Sequence, residues 1–154
     1  MPQKQSFQKA PVQIRSAFVV SRKVPKMKIE HIAIWVKDID KVCEFYRKYF
    51  GGVVHPIYHN PAKQFTSRFI TFDDGARLEI MHRPDIKQIE MFHVEHLGYA
   101  HLSFSVGSKE EVDHLTQQMS SDGIQVVGQP RTTGDGYYES VVLDPEGNRV
   151  EITI

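Results

Sequence analysis

Residues 31–36 read His-Ile-Ala-Ile-Trp-Val, and residues 101–106 read His-Leu-Ser-Phe-Ser-Val. Both are short, mostly apolar runs that open on a histidine, 70 residues apart. A strand projects alternate side chains to opposite faces. Ile32, Ile34 and Val36 therefore share one face, and His31, Ala33 and Trp35 share the other. In the second run Leu102, Phe104 and Val106 oppose His101, Ser103 and Ser105. The aliphatic faces suit packing against a helix, which leaves each histidine on a second, more polar face.

The same 70-residue offset carries on along the chain, and a repeated unit decides a fold. After the first run, Val42, Phe45, Tyr46 and Tyr49 follow the i, i+3, i+4, i+7 spacing of one apolar helix face. Shifted by 70, three of these positions become Val112, Leu115 and Met119, again one helix face. Ser108-Lys109-Glu110-Glu111 fits a capping box with Ser108 as N-cap. Gly51-Gly52 and Asp122-Gly123 fit left-handed helix stops. Strands are expected at 52–58, 67–72 and 77–82, then at 124–128, 137–143 and 149–153. Asp73-Asp74-Gly75 and Asp144-Pro145-Glu146-Gly147-Asn148 have the turn chemistry that joins the last two strands of each half. Each half reads β-α-β-β-β, over about 28–83 and 98–154. Neither is large enough to bury much alone, so the two should form one domain. The connector between them, about 84–98, reads as loop with some helical character.

The final strands repeat the pattern of the first. Leu78 and Ile80 point to the core, with Glu79 opposite beside Arg77 and Met81. Val150 and Ile152 point to the core, with Glu151 opposite beside Arg149. Each half thus offers one imidazole and one carboxylate on its polar face, separated by 48 and 50 residues along the chain. Two histidines and two glutamates are costly to bury together unpaired. A divalent cation removes that cost, and mixed nitrogen and oxygen donors suit Ni, Co, Zn, Mn or Fe(II).

Bulk properties exclude several classes. The 154 residues carry 19 basic and 19 acidic side chains, with 40% hydrophobic content. Residues 1–26 hold six of the basic residues and no acid, which leaves 13 basic against 19 acidic in the remainder, a charge of about −6. A mildly acidic body argues against binding a phosphate backbone. No apolar run approaches the roughly 18 residues that span a bilayer. The basic leader reads as a disordered extension, with an organelle-targeting peptide as the alternative and Met27 as a possible natural start. The single cysteine, Cys43, suits a reducing compartment, taken as the cytoplasm, and its place near the apolar helix face suits packing.

The runs E-H-I-A-I-W-V-K-D-I-D…F-Y, D-D-G-A-R-L-E-I-M, G-Y-A-H-L-S-F-S-V and D-P-E-G-N-R-V-E-I resemble the vicinal oxygen chelate superfamily, the glyoxalase, bleomycin resistance and extradiol dioxygenase group. The resemblance covers about residues 28–154, and the Asp-Pro-x-Gly turn before Glu151 is its more specific part. It implies an α+β fold, tandem βαβββ modules forming a cupped mixed sheet around a metal site. The family's four ligand positions fall on His31, Glu79, His101 and Glu151, a set similar to that of bacterial lactoylglutathione lyase. The implied activity is a lyase or isomerase that chelates the vicinal oxygens of a small carbonyl substrate and moves a proton by way of an enediolate. Glu151 is the implied base, with Glu79 as counterpart, and many relatives pair as homodimers that in some cases complete the cup across chains. Glutathione-using members tend to carry arginine four residues after the first ligand and asparagine four after the second. Here those positions are Trp35 and Arg83, which speaks against glutathione as the thiol.

Pocket walls are expected from Trp35, Arg68, Met81, Ser103, Arg149, Tyr138 and Arg83, with Arg68 and Arg83 suited to an anionic substrate group. His93 and His96, in F-H-V-E-H, are a weaker second metal pattern; His55, His59, His82 and His114 read as incidental. Three rival classes stand beside the lyase: an extradiol-type dioxygenase, a thiol transferase conferring resistance, and a metal-free binding module. The additional carboxylate counts against the dioxygenase, which uses two histidines and one carboxylate.

Overall fold

The structure, a computed structural model, describes residues 27–87 and 98–154. The basic leader, His93, His96 and most of the connector lie outside the described residues. The element order is β1 (His31–Trp35), α1 (Ile39–Phe50), β2 (Val53–Val54), β3 (Tyr58–Asn60), β4 (Phe65–Thr71), β5 (Arg77–His82), β6 (Leu102–Ser105), α2 (Lys109–Ser121), β7 (Val126–Thr132), β8 (Tyr138–Leu143) and β9 (Arg149–Thr153), with a 3₁₀ turn at Pro61–Lys63. Both helices start on the side chains their sequences offer. Asp38 accepts from the Lys41 amide at 2.9 Å, and Ser108 accepts from the Glu111 amide at 3.2 Å. α1 ends at Gly51 in the left-handed region, with φ 65°.

Each module makes its own sheet. The first runs β1-β5-β4-β2 with β3 also on β4, and the second runs β6-β9-β8-β7. In both, the first strand pairs in parallel with the last: Ala33 faces Glu79, and Ser103 faces Glu151. The duplicated sequence has become a duplicated register. The strand expected over 52–58 is divided into β2 and β3, both on β4. Pro56 lies in the break, where its missing amide hydrogen cannot serve a ladder. Pro130 is tolerated in β7 because that strand is an edge with register shifts on both sides of Gly128.

The aliphatic faces of both sheets and the inner faces of both helices join one core that includes Val42, Tyr46, Ile70, Ile80, Val112, Met119, Val142, Val150 and Ile152, all fully enclosed. Phe104 of β6 binds the modules together. Its ring stacks on Phe50 at 4.2 Å and meets Phe72 at 5.0 Å and Tyr46 at 6.0 Å. The Asp144–Asn148 turn is the second bond between them. Asp144 is buried and accepts at 2.9 Å from the Glu146 amide, the Asn148 amide and the Asn148 side chain, while the Tyr46 hydroxyl donates to it at 3.3 Å. Burial drives the Asp144 carboxyl above its usual range, although these donors pull against it. Glu146 then accepts from the Lys37 and Asp38 amides at 2.8 and 3.0 Å, which pins the turn to the start of α1.

Gly52 is required by space. A Cβ there would stand 2.5 Å from Ile70 Cγ2 and 3.2 Å from both Phe72 Cε1 and the Tyr46 carbonyl. Ile70 is fully enclosed and cannot retreat cheaply. Gly52→Ala should cost about 1–3 kcal/mol of stability, read as a lower urea midpoint; an unchanged midpoint would mean that this packing is looser than described.

Candidate metal centre

The shared core fixes where the polar faces go. Because both aliphatic faces turn inward to the helices, the faces carrying histidine and glutamate are left outside, one on each sheet. On the first, His31 Nε2 stands 3.9 Å from Glu79 Oε2; on the second, His101 Nε2 stands 3.5 Å from Glu151 Oε2. Both histidine side chains are 42% exposed, while Glu79 and Glu151 are 16% and 15% exposed. Ligands about 2.1 Å from a common ion lie roughly 3.0–3.4 Å apart. The second pair is close to that spacing and the first is somewhat wider, so each fits as half of a divalent site. Within one chain the two pairs stay apart, on separate sheets. Among the described residues no group of three or more histidine, cysteine, aspartate or glutamate side chains could hold an ion.

The two halves are supported differently. His31 Nδ1 contacts the Glu30 carboxylate, which is also paired with Arg77, and the His31 hydrogen bond holds the Glu30 carboxyl low. This arrangement turns Nε2 toward Glu79, as carboxylate partners do for metal-binding histidines. The Phe69 ring meets His31 edge-on at 5.6 Å and carries the Arg77 guanidinium at 4.1 Å. On the second sheet, Ser103 Oγ donates to Glu151 Oε1 at 2.7 Å. Ala33 occupies the equivalent place on the first sheet and has no hydroxyl. Glu139 of β8 shares this face with Glu151; burial, and then the charge of Glu151, raise its pKa. Arg131 Nη2 donates to Glu139 Oε1 at 3.0 Å.

Of the expected wall residues, Trp35, Met81 and Arg83 do cluster on the first polar face. Trp35 pairs across the ladder with Met81, meets Phe65 edge-on at 6.0 Å, and has the Arg83 guanidinium 5.5 Å above its ring. Ser103 lies beside Glu151, and Arg149 faces Leu143 on the same side of the second sheet. Two assignments are corrected. Arg68 faces Ile80 and reaches Asp40 of α1 at 3.5 Å, so it lies on the helix side of its sheet. Tyr138 also lies on the helix side, where its hydroxyl donates to Asp113 of α2 at 2.7 Å and Lys109 covers its ring. A cleft of about 700 Å³ is lined by Ile32, Phe72, Leu102 and Phe104 of the aliphatic side together with Arg77 and Ser103; none of His31, Glu79, His101 and Glu151 lines it.

The remaining candidates serve the scaffold. His82 Nδ1 donates to the Val36 carbonyl at 2.9 Å, and His55 and His59 pair with Thr71 and Thr66, each at 3.0 Å. Cys43 is buried, and burial pushes its thiol up to about 11, so it is held as the unreactive thiol. Glu30, Glu139 and Arg131 were not expected from the sequence. Glu30 is signalled by its position directly before His31, whereas the approach of Glu139 to Glu151 depends on a register that sequence does not print.

Comparison with known proteins agrees with this architecture. The family model described as the Glyoxalase/Bleomycin resistance protein/Dioxygenase superfamily matches residues 28–152. An uncharacterised protein of Bacillus subtilis (strain 168), YqjT, is 25% identical over 127 residues, covering 80% of this chain and 96% of its own. A glyoxalase family protein from Enterococcus faecalis superposes with TM-score 0.68 at 25% identity, over 82% of this chain and 97% of its own. Glyoxalase I from Zea mays also gives TM-score 0.68, at 18% identity, over 82% of this chain; here the likeness is of fold, and this chain spans only 44% of the maize protein. No helix among the described residues is long and apolar enough to cross a membrane.

Proposed function

Since the chain belongs to the Glyoxalase/Bleomycin resistance protein/Dioxygenase superfamily, we propose that it is a metal-dependent lyase or isomerase of the glyoxalase I type, and that its site is completed between two copies. His31 and Glu79 of one protomer and His101 and Glu151 of its partner form each four-donor site, so a homodimer holds two. One observation carries this reading: the two His/Glu pairs stand in the same register on two separate sheets, each open to solvent and each too small to hold an ion alone. A bound Ni, Co, Zn, Mn or Fe(II) would supply Lewis-acid polarisation of the vicinal oxygens of a small carbonyl substrate.

The chain's own residues divide the remaining work. Glu151 takes and returns the proton beside the carbonyl, with its carboxylate oriented by the Ser103 hydroxyl. Glu30 fixes the ring of His31. Trp35, Phe65 and Met81 make an apolar wall, and Arg83 at its edge suits an anionic substituent. Two carboxylates per site count against an extradiol dioxygenase. The single cysteine fits a reducing compartment, which we place in the cytoplasm.

The test begins with metal-stripped protein dialysed against Ni²⁺ or Co²⁺, with the molecular mass measured in parallel. One tightly held ion per chain in a dimer is expected, together with solvent-deuterium incorporation into one or more members of a panel of α-hydroxy-carbonyls and thiohemiacetals. A protein that acquires no ion, or a loaded protein that exchanges no proton across the panel, would refute the lyase reading.

A further inference from the structure

Glu139 presents a third carboxylate beside a site that needs only two. It shares the polar face of the second sheet with Glu151, since Glu139 pairs with Thr153 and Val141 pairs with Glu151. Its side chain is only 13% exposed, while that of Arg131 is 53% exposed and reaches it from the edge strand β7. Glu139 is thus one ladder step from Glu151 on the same face, where a free carboxylate could compete with substrate oxygens for an ion held by Glu151.

Arg131 is the partner the structure gives this carboxylate. Arg131 Nη2 is bonded to Glu139 Oε1 at 3.0 Å. Space for the guanidinium comes from Gly128, where an added Cβ would lie 3.2 Å from Arg131 Nη1 and 3.2 Å from Val141 Cβ. Gly128 and Arg131 flank the second register shift of β7, and a bulge of this kind re-aims a side chain. The first sheet has no counterpart: the ladder position equivalent to Glu139 there is Ser67, opposite Met81.

Building on the metal site proposed above, we infer that Arg131 is a positioning residue that tethers Glu139 outside the coordination sphere and so keeps the substrate positions open. Removing the tether frees Glu139 to become an additional donor. Arg131→Met should therefore bind Co²⁺ roughly tenfold more tightly than the unmodified protein, with an altered Co²⁺ visible spectrum and slower substrate proton exchange. Loss of a nearby positive charge would by itself favour the cation, so Glu139→Gln is the control. The Arg131→Met/Glu139→Gln pair should return to the original affinity and spectrum, and Arg131→Lys should stay close to them. Unchanged or weaker Co²⁺ binding in Arg131→Met, or a gain that persists in the double variant, overturns the tether. Failure of the unmodified protein to bind Co²⁺ would instead defeat the metal site on which the tether depends.

Discussion

Glu151→Gln should slow exchange of the substrate's proton with solvent by about 10²–10⁴-fold, the range for loss of a positioned base. The amide has nearly the same shape and can still accept from Ser103, whose hydroxyl donates at 2.7 Å, so local geometry is kept. What disappears is the negative charge and the ability to take a proton. Tight metal binding should weaken as well, because one of two anionic donors is lost. The fold should be unaffected: Val150 and Ile152 on either side of Glu151 are the core residues, and Glu151 itself points outward. The readout is deuterium incorporation by metal-loaded protein, alongside the circular dichroism of both forms. Exchange at the original rate in a correctly folded Glu151→Gln protein would remove Glu151 from the role of base.

Much of the fold was legible because a repeat makes each half a check on the other. The histidine-led strands, both helix faces, the Ser108 cap and the hairpin turns follow from spacing alone; the parallel pairing of first and last strands, which sets Ala33 opposite Glu79 and Ser103 opposite Glu151, is added by the structure. Three things were less accessible. Strand parity places Arg68 with Ile70 and Tyr138 with Val142, on the helix side, where their polar groups reach Asp40 and Asp113 rather than a pocket. The division of β2 from β3 turns on Pro56 within an otherwise strand-like run. The larger departure concerns the direction of the two polar faces. Sequence shows that each module has one, but only the packing of Phe104 on Phe50, Tyr46 and Phe72 shows that both aliphatic faces enter one core and leave the polar faces outside.

That packing also explains the Asp-Pro-Glu-Gly turn, which sequence offered mainly as a signature. Asp144 closes the turn on itself and receives Tyr46, and Glu146 clasps the amides that open α1. The turn therefore holds one module against the other while β9, which follows it, carries Glu151 on the opposite face. Core and site are built from alternate residues of the same strand.

A site shared between protomers has a consequence that no single-chain site shares. A protein lacking His31 and Glu79 has two crippled sites per homodimer, and so does one lacking His101 and Glu151. In a heterodimer of the two, both lesions fall in one site and the other site is whole. The deciding measurement is Co²⁺ stoichiometry for His31→Ala/Glu79→Ala and His101→Ala/Glu151→Ala, each alone and as a purified, differently tagged heterodimer. Neither homodimer should hold the ion tightly, and the heterodimer should recover one ion per dimer. A heterodimer that recovers none, or a homodimer that keeps one ion per chain, would contradict a metal centre assembled from two copies of this chain.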